Sequence, residues 1–461
     1  MMTDTVTVLS HWQFALSGLL HFLFIPLTLG LSLLLAVIES FQFESGRRDD
    51  YQNPFGRLER LFKLAFVMAL ASRLPILLQF GANGSYFSHY VGDAFALPLT
   101  LEVLSGLILA VLLFGPYSLG RNRLGKGWHL ALTWLLVLAM HVSAFWILLS
   151  HSWMQYPVAV VFNDLSYRLE LTDFQIFIAN PVVMGKWLHT LVSSYACAAA
   201  AVIVLALRNP VGWHDARSTA LMAAITGLIA TGLTAIGDPT PKQASLTQSI
   251  KQTLIEGDNP ERWLPELQTH VRQGVEAFRL LERLRDDHQD SAIRADFARL
   301  QTNLGYAWLV KPFNQQIAGA NDQQIELAAQ SALPAWPLVI LWSYRLMIAA
   351  GLLTLVLFAW TAWLARQANA PSEATRTRLT CLAAAPWLAS VSGWLVAEFG
   401  KQPWAIAGLL PSASGVSAST PTEAGISFAA YLLANIVFLA IGWHLAKALV
   451  SNPTINTTEA G

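Results

Sequence analysis

The stretch QFALSGLLHFLFIPLTLG, Gln13–Gly30, carries no acidic, Lys or Arg side chain and lies inside an apolar run from about residue 12 to 42. As a helix rising about 1.5 Å per residue, such a run more than crosses the roughly 30 Å hydrocarbon core of a bilayer. It is too long for the apolar core of a signal peptide and continues without a small-residue cleavage site, so it reads as a retained span. Whether it is a buried core helix or a membrane span is decided by the rest of the chain. Of 461 residues, 54% are hydrophobic and 13% are charged. A soluble domain carries about a quarter charged residues. The deficit gathers in further runs of the same kind, which makes this a polytopic membrane protein.

Working outward, about nine spans emerge: 12–42, 61–82, 93–118, 127–151, 183–207, 218–237, 336–365, 379–398 and 424–449. The loops between them alternate in charge. Arg47, Arg48, Arg57, Arg60 and Lys63 fill the first, Arg121, Arg123 and Lys126 the third, Arg208 and Arg217 the fifth, and Arg366, Arg376 and Arg378 the seventh. Lys447 marks the end of the last span. The short loops on the other side offer only Arg168 and Lys401. Positive loops stay in the cytoplasm, so the N-terminus is expected outside, in the periplasm, and the C-terminus inside. The expected fold is all-α, a polytopic bundle of about nine transmembrane helices with a long outer-side loop between helices 6 and 7. That divides the chain into spans 1–6 (1–237), the loop (238–334) and spans 7–9 (335–461). Within the loop, VEAFRLLERLRDDHQDSAIRADFARLQTNLG spaces apolar residues as a helix does, so a folded element is expected there. A net charge of zero gives no sign of a nucleic-acid partner. Cys197 and Cys381 both fall in apolar segments and form neither a disulfide framework nor a CxxC site.

Ionisable groups within a bilayer are costly, which makes each a candidate for function. His21 is on span 1, Glu102 on span 3, His189 on span 5, Arg345 with Met347 on span 7, and Glu398 ends span 8. By the expected orientation all lie in the outer half of the membrane. Each also has a plainer reading. A membrane histidine is commonly a hydrogen-bonded helix contact, and His141 and His151 on span 4 are assigned to it. His11, His89, His214 and His444 sit near span ends, where the interface accounts for them. Methionine usually packs, Glu102 alone could bond a neighbouring helix, and Lys186 is read as snorkelling outward. What needs His, Met and Glu together at one depth is a haem iron. It takes His with Met for low-spin electron transfer, and leaves a position open where oxygen binds. Arg345 and Lys401 would then pair with haem propionates.

At these residues the sequence resembles subunit I of the cytochrome bd-type ubiquinol oxidases. The likeness runs through QFALSGLLHFLFIPLTLG, FSHYVGD, SWMQYP, NPVVMGKWLHT, YRLM and GWLVAEFGKQPWAI, across nearly the whole chain. It implies nine transmembrane helices, an outer loop that handles quinol, and oxygen reduction to water in the bacterial inner membrane. By position it implies that His189 and Met347 ligate a low-spin haem b. His21 and Glu398 would ligate the two haems of the active-site pair, with Glu102 an acid beside them and Trp394 among the cofactor-binding residues. In KQTLIE, Lys251 and Glu256, shortly after Gly237 and Asp238, match the family's quinol pair. Physically, an ammonium can hold the quinol oxygen and a carboxylate can accept its proton. In VAEFGKQPW, Glu398 would then be an iron ligand, Lys401 a partner of propionates, and Pro403 and Trp404 the helix stop and its interfacial anchor.

The departures from the family pattern gather around the active-site pair. Lys401 stands for an arginine, losing the planar fork. Ala110 stands where a second helix-3 glutamate is usual, His11 for an arginine, Leu77 for an acid and Gly84 for a tryptophan, and Arg73 lies inside span 2. Two haems b are expected, and the departures set a haem d apart from them. The expected partners are ubiquinol, oxygen, membrane lipid, an oxidase subunit II and a small single-span subunit. Two other functions compete: a paralogue that passes quinol electrons to another acceptor, and a proton-coupled transporter. A transporter has no use for His189 with Met347.

Overall fold

The computed structural model describes residues 5–45, 52–121, 123–209, 212–235, 245–288, 290–367 and 369–451. The domain boundary expected at 237/238, the Gly237-Asp238 dipeptide, Arg47 and Arg48 lie outside the described residues. Nine helical segments among the described residues are long and apolar enough to cross a membrane, as the sequence predicts. The protein is an all-α, multi-pass membrane protein.

In chain order the first helices are α1 (Thr5–Ser45), α2 (Gln52–Ala82), α3 (Ser85–Glu102), α4 (Leu109–Gly120), α5 (Lys126–Gln155), α6 (Phe174–Ile178), α7 (Val183–Leu207) and α8 (Trp213–Ala235). Strands β1 (Val160–Asn163) and β2 (Arg168–Leu171) pair antiparallel after α5. Several helices outrun their apolar stretches, α1 and α2 by up to nine residues, because the backbone ladder continues past the hydrocarbon. α3 and α4 form one span joined by a π-helical segment, Val103–Ile108, directly after Glu102. Such segments widen the ladder by one residue per turn.

The core lies around α1, which packs on α2, α5, α7 and a C-terminal helix. Between apolar helices in lipid, close approach of small residues is the main attraction. α7 supplies them: Ala196, Ala198, Ala199 and Ala200 are all buried. Gly30 of α1 meets that stripe so closely that a Cβ there would lie 2.3 Å from the Ser194 carbonyl oxygen and 2.4 Å from Ala198 Cβ.

The next helices are α9 (Leu246–Glu256), α10 (Leu264–Asp286), α11 (Ser291–Leu300), α12 (Leu304–Ala307) and α13 (Asp322–Ser331). They fill the expected outer-side loop with a packed helical unit. Side-chain caps start its helices: Ser245 accepts from Gln248 N, Asp290 from Ala292 N and Ile293 N, and Asn321 forms a capping box with Gln324. Leu254, Leu267, Val271, Val275 and Tyr306 form its core.

The chain re-enters the bundle as α14 (Pro337–Ala365), α15 (Glu373–Leu382) and α16 (Ala385–Gly400). Strands β3 (Trp404–Ile406) and β4 (Leu410–Pro411) then fold back as a hairpin, and α17 (Pro421–Ser451) closes the chain. This hairpin corrects one expectation. Trp404 is not an interfacial anchor: it is buried, its ring edge-on to Tyr306 at 4.8 Å, and it joins α16 to the α9–α13 unit. The helix stops at Gly400 and the reversed chain turns the indole inward. Burial also pushes the Tyr306 phenol well above its usual range.

Candidate functional site

A cavity of about 2540 Å³ runs between the helices at the end of the bundle nearest the α9–α13 unit. Pockets for ordinary small ligands occupy roughly 300–1,000 Å³, so there is room for more than one large planar group. Its wall carries His21 (α1), His189 (α7), Met347 (α14), and Trp394 with Glu398 (α16). Four helices distant in sequence thus deliver the predicted donors to one space.

Each donor is held locally. His21 Nδ1 lies 2.9 Å from Ser72 Oγ on α2, which fixes the ring by one nitrogen and leaves the other for a ligand. Met347 reaches α16, where a Cβ on Gly393 would stand 3.0 Å from its sulfur. The neighbouring Trp394 stacks on Phe22 of α1, ring centres 6.5 Å apart. Glu398 Oε2 accepts a 2.7 Å ion pair from Lys401, which also lines the cavity.

Lys251 is buried at the same end, its stem against Gly400: a Cβ added there would meet Lys251 Cδ at 2.6 Å. Glu256 is turned away. It is exposed and accepts from Gln252 Nε2 at 2.7 Å. Five residues rotate a helix by about 140° beyond one turn, so the two cannot share a face. Arg345 is likewise not brought to the cavity. Its guanidinium lies 5.2 Å over the Trp342 ring on the exposed side of α14.

Glu102 is fully buried behind the wall. It accepts from both terminal nitrogens of Arg73, Nη1 at 2.5 Å, and from Ser143 Oγ at 2.5 Å. Arg73, read from the sequence only as a departure, is therefore the partner of the candidate acid. The two stand about nine residues from the expected outer ends of adjacent spans, and that match in depth was the available signal.

Two further residues escaped the sequence reading. Lys186 does not snorkel outward; it lines the cavity with its ammonium buried. His151 also lines the cavity, with Nε2 3.9 Å from Glu398 Oε1. By contrast His141, assigned to the same plain role, fills it: Nδ1 bonds the Val137 carbonyl at 2.7 Å and Nε2 the Tyr195 hydroxyl at 2.8 Å.

This architecture defines a class: a multi-pass helical membrane protein built around an internal chamber for large bound groups. The model of the cytochrome bd terminal oxidase subunit I family matches residues 9–453, and the chain belongs to that family. It is 30% identical to the cytochrome bd-II ubiquinol oxidase subunit 1 of Escherichia coli (strain K12), over 91% of each chain. It is 27% identical to the cytochrome bd ubiquinol oxidase subunit 1 of Bacillus subtilis (strain 168), over 94% of this chain and 91% of the other. In fold it is similar to a chain of the bd oxidase from Geobacillus thermodenitrificans, with a TM-score of 0.67 and 16% identity over 97% of this chain and 99% of that one.

Proposed function

We propose that this chain is the haem-bearing subunit I of a quinol oxidase in the bacterial cytoplasmic membrane, with a periplasmic N-terminus, and that it works with a subunit II. What carries the reading is the meeting, on one cavity wall, of His21, His189, Met347 and Glu398 with Lys251. The donors suit haem iron: His and Met for a six-coordinate low-spin haem b, a lone His and a carboxylate for the high-spin pair. The cations Lys186 and Lys401 suit propionates, and the apolar remainder suits a macrocycle. Bound there, the haems supply electron transfer and the reduction of oxygen.

The chain's own residues do the rest. Lys251 donates to a quinol oxygen beside Gly400, and the released proton passes outward to the solvent-facing Glu256. Ser72 orients the His21 ring, and Trp394 on Phe22 keeps water from the space between α1 and α16. A small single-span subunit is a further expected partner, and haem d is proposed only for the high-spin pair.

A second reading is favoured by the Arg73–Glu102 pair. Held by a guanidinium and a hydroxyl, Glu102 is poorly placed to pass protons, and Ala110 cannot replace it. Under that reading quinol electrons go to an acceptor other than oxygen. The test is the reduced optical spectrum of the protein purified with its partner, together with quinol-driven oxygen uptake. A low-spin haem b with uptake supports the oxidase. Haem without uptake supports the second reading, and no haem defeats both.

A further inference from the structure

Arg73 lies well inside the α2 span and lines the chamber, while its partner Glu102 stands behind the wall with no exposure. Three groups fix that carboxylate: Nη1 and Nη2 of Arg73, and Ser143 Oγ at 2.5 Å. All three are donors, as suits an ionised carboxylate. The π-helical turn after Glu102 holds the arrangement. A Cβ on Gly106 of that turn would stand 2.6 Å from Ser143 Cα, so the turn and α5 are in close contact and Ser143 stays beside the carboxylate. The pair is thus a fixed dipole, its positive end toward the chamber and its negative end away from it.

That positive end lies by His21. Ser72 directly precedes Arg73 on α2, and its oxygen is 2.9 Å from His21 Nδ1. The Ser72 hydroxyl gives its only hydrogen to the Ala69 carbonyl, at 3.0 Å. Its oxygen therefore accepts from Nδ1–H, which leaves the lone pair on Nε2 for iron. Among the described residues, Arg73 is the charged side chain whose field reaches the His21 ring. Leu77, one turn further along α2, and Ala110 line the same chamber, and neither offsets the guanidinium.

We propose that the Arg73–Glu102 dipole raises the reduction potential of the haem held by His21. The proposal rests on the haem reading given above. Taking up an electron lowers the charge on a haem iron by one, so a fixed positive end close by favours the reduced form. Burial strengthens the effect, because charges interact more strongly at low effective dielectric than in water. Arg73 is thereby a positioning residue that acts through its field: it makes the site at His21 the better acceptor for electrons leaving the site at His189 and Met347.

The test uses the holoprotein purified with its partner subunit and a spectroelectrochemical titration, which reads the midpoint of each haem without turnover. Arg73→Met should lower the midpoint of one high-spin haem, and Glu102→Gln should raise it. At an effective dielectric of about 20, a unit charge several Å away changes an equilibrium constant by roughly tenfold or more. Each shift should therefore be about a tenfold change in the reduced-to-oxidised ratio at fixed potential, or about 59 mV for a one-electron couple. Arg73→Lys, which keeps the charge, should stay near the wild type, and the low-spin midpoint should move less in every variant. If Arg73→Met does not fold, the double variant Arg73→Met/Glu102→Gln replaces it, since it strands neither charge, and its midpoint should fall below that of Glu102→Gln alone. A purely structural role would move the midpoints together or in one direction. Shifts of the same sign in both single variants, an unmoved high-spin midpoint, or equal movement of all the haems would overturn the proposal while the haem reading stands. Protein that carries no haem would overturn the haem reading and this proposal with it.

Discussion

Replacing Arg73 with methionine removes the cation that Glu102 depends on and keeps most of the side-chain volume. Glu102 has no solvent exposure, and three of its hydrogen bonds come from Arg73 and Ser143. Removing one partner of a buried ion pair strands the other charge and costs about 3–5 kcal/mol. In domains of 150–250 residues each kcal/mol moves the melting temperature by about 2–4 °C, and less in larger ones, so a loss of several degrees and at most about 10 °C is expected. Adding Glu102→Gln in the same chain removes the stranded charge, and most of the loss should return. Glu102→Gln alone should cost less than Arg73→Met, because Arg73 is 13% exposed and faces the cavity, where water can solvate it. Thermal unfolding of the detergent-purified protein, followed by tryptophan fluorescence, measures all three variants. If Arg73→Met melts with the wild type, or the double variant melts below it, Glu102 is not held as an uncompensated anion and the reasoning fails.

Met347→Leu should abolish or strongly shift the low-spin signal in the reduced spectrum while total haem falls little; an unchanged band would remove Met347 from the ligand set. Gly400→Val should push Lys251 aside, since its Cδ and Cγ stand 2.6 Å from the added Cβ. Losing one charge-assisted hydrogen bond costs about 1.5–3 kcal/mol, so kcat/KM for quinol should drop about ten- to a hundredfold at normal haem content, and by more than in Glu256→Gln; equal effects would argue against the inward role of Lys251. Ala110→Glu restores a carboxyl eight residues after Glu102, near the same helix face, and should raise oxygen uptake; no change in uptake would make the missing acid irrelevant.

The spans were legible because a bilayer admits few solutions: a run of apolar residues from Gln13 to Gly30 must be a helix, and loop arginines set an expected side. Rotation about each helix axis was much less legible. A soluble helix shows its inner face by periodicity, but α14 has leucines on both sides, with Leu346, Ile348 and Leu352 exposed and Leu357 buried. Some of the rotation could still have been had by arithmetic. Arg345 and Met347 are two residues, about 200°, apart, so a cavity that takes one excludes the other. Lys251 and Glu256 part in the same way. Pairings between helices were hidden more deeply. Nothing local to Arg73 names Glu102, and nothing local to His151 distinguishes it from His141. Matched depth hinted at the first pair, but the partners were fixed only when α2 met α3 and His151 met Glu398 of α16.

Trp404 and Lys251 tie the end of α16 to the α9–α13 unit, and that has a consequence for how the protein is made. The cavity wall is assembled from residues spread along the chain, with His21 early and Glu398 near the end. At about 5–20 residues per second, some 20–75 s of translation separate the two. Through that interval α1, α7 and α8 can pack, but the chamber still lacks its far wall. A large planar group can therefore enter sideways before α16 docks. Once the hairpin has packed Trp404 against Tyr306, α16 completes that wall. If such a group enters at that stage, its loading is tied to biogenesis, and a chain that matures empty should fill more slowly afterwards.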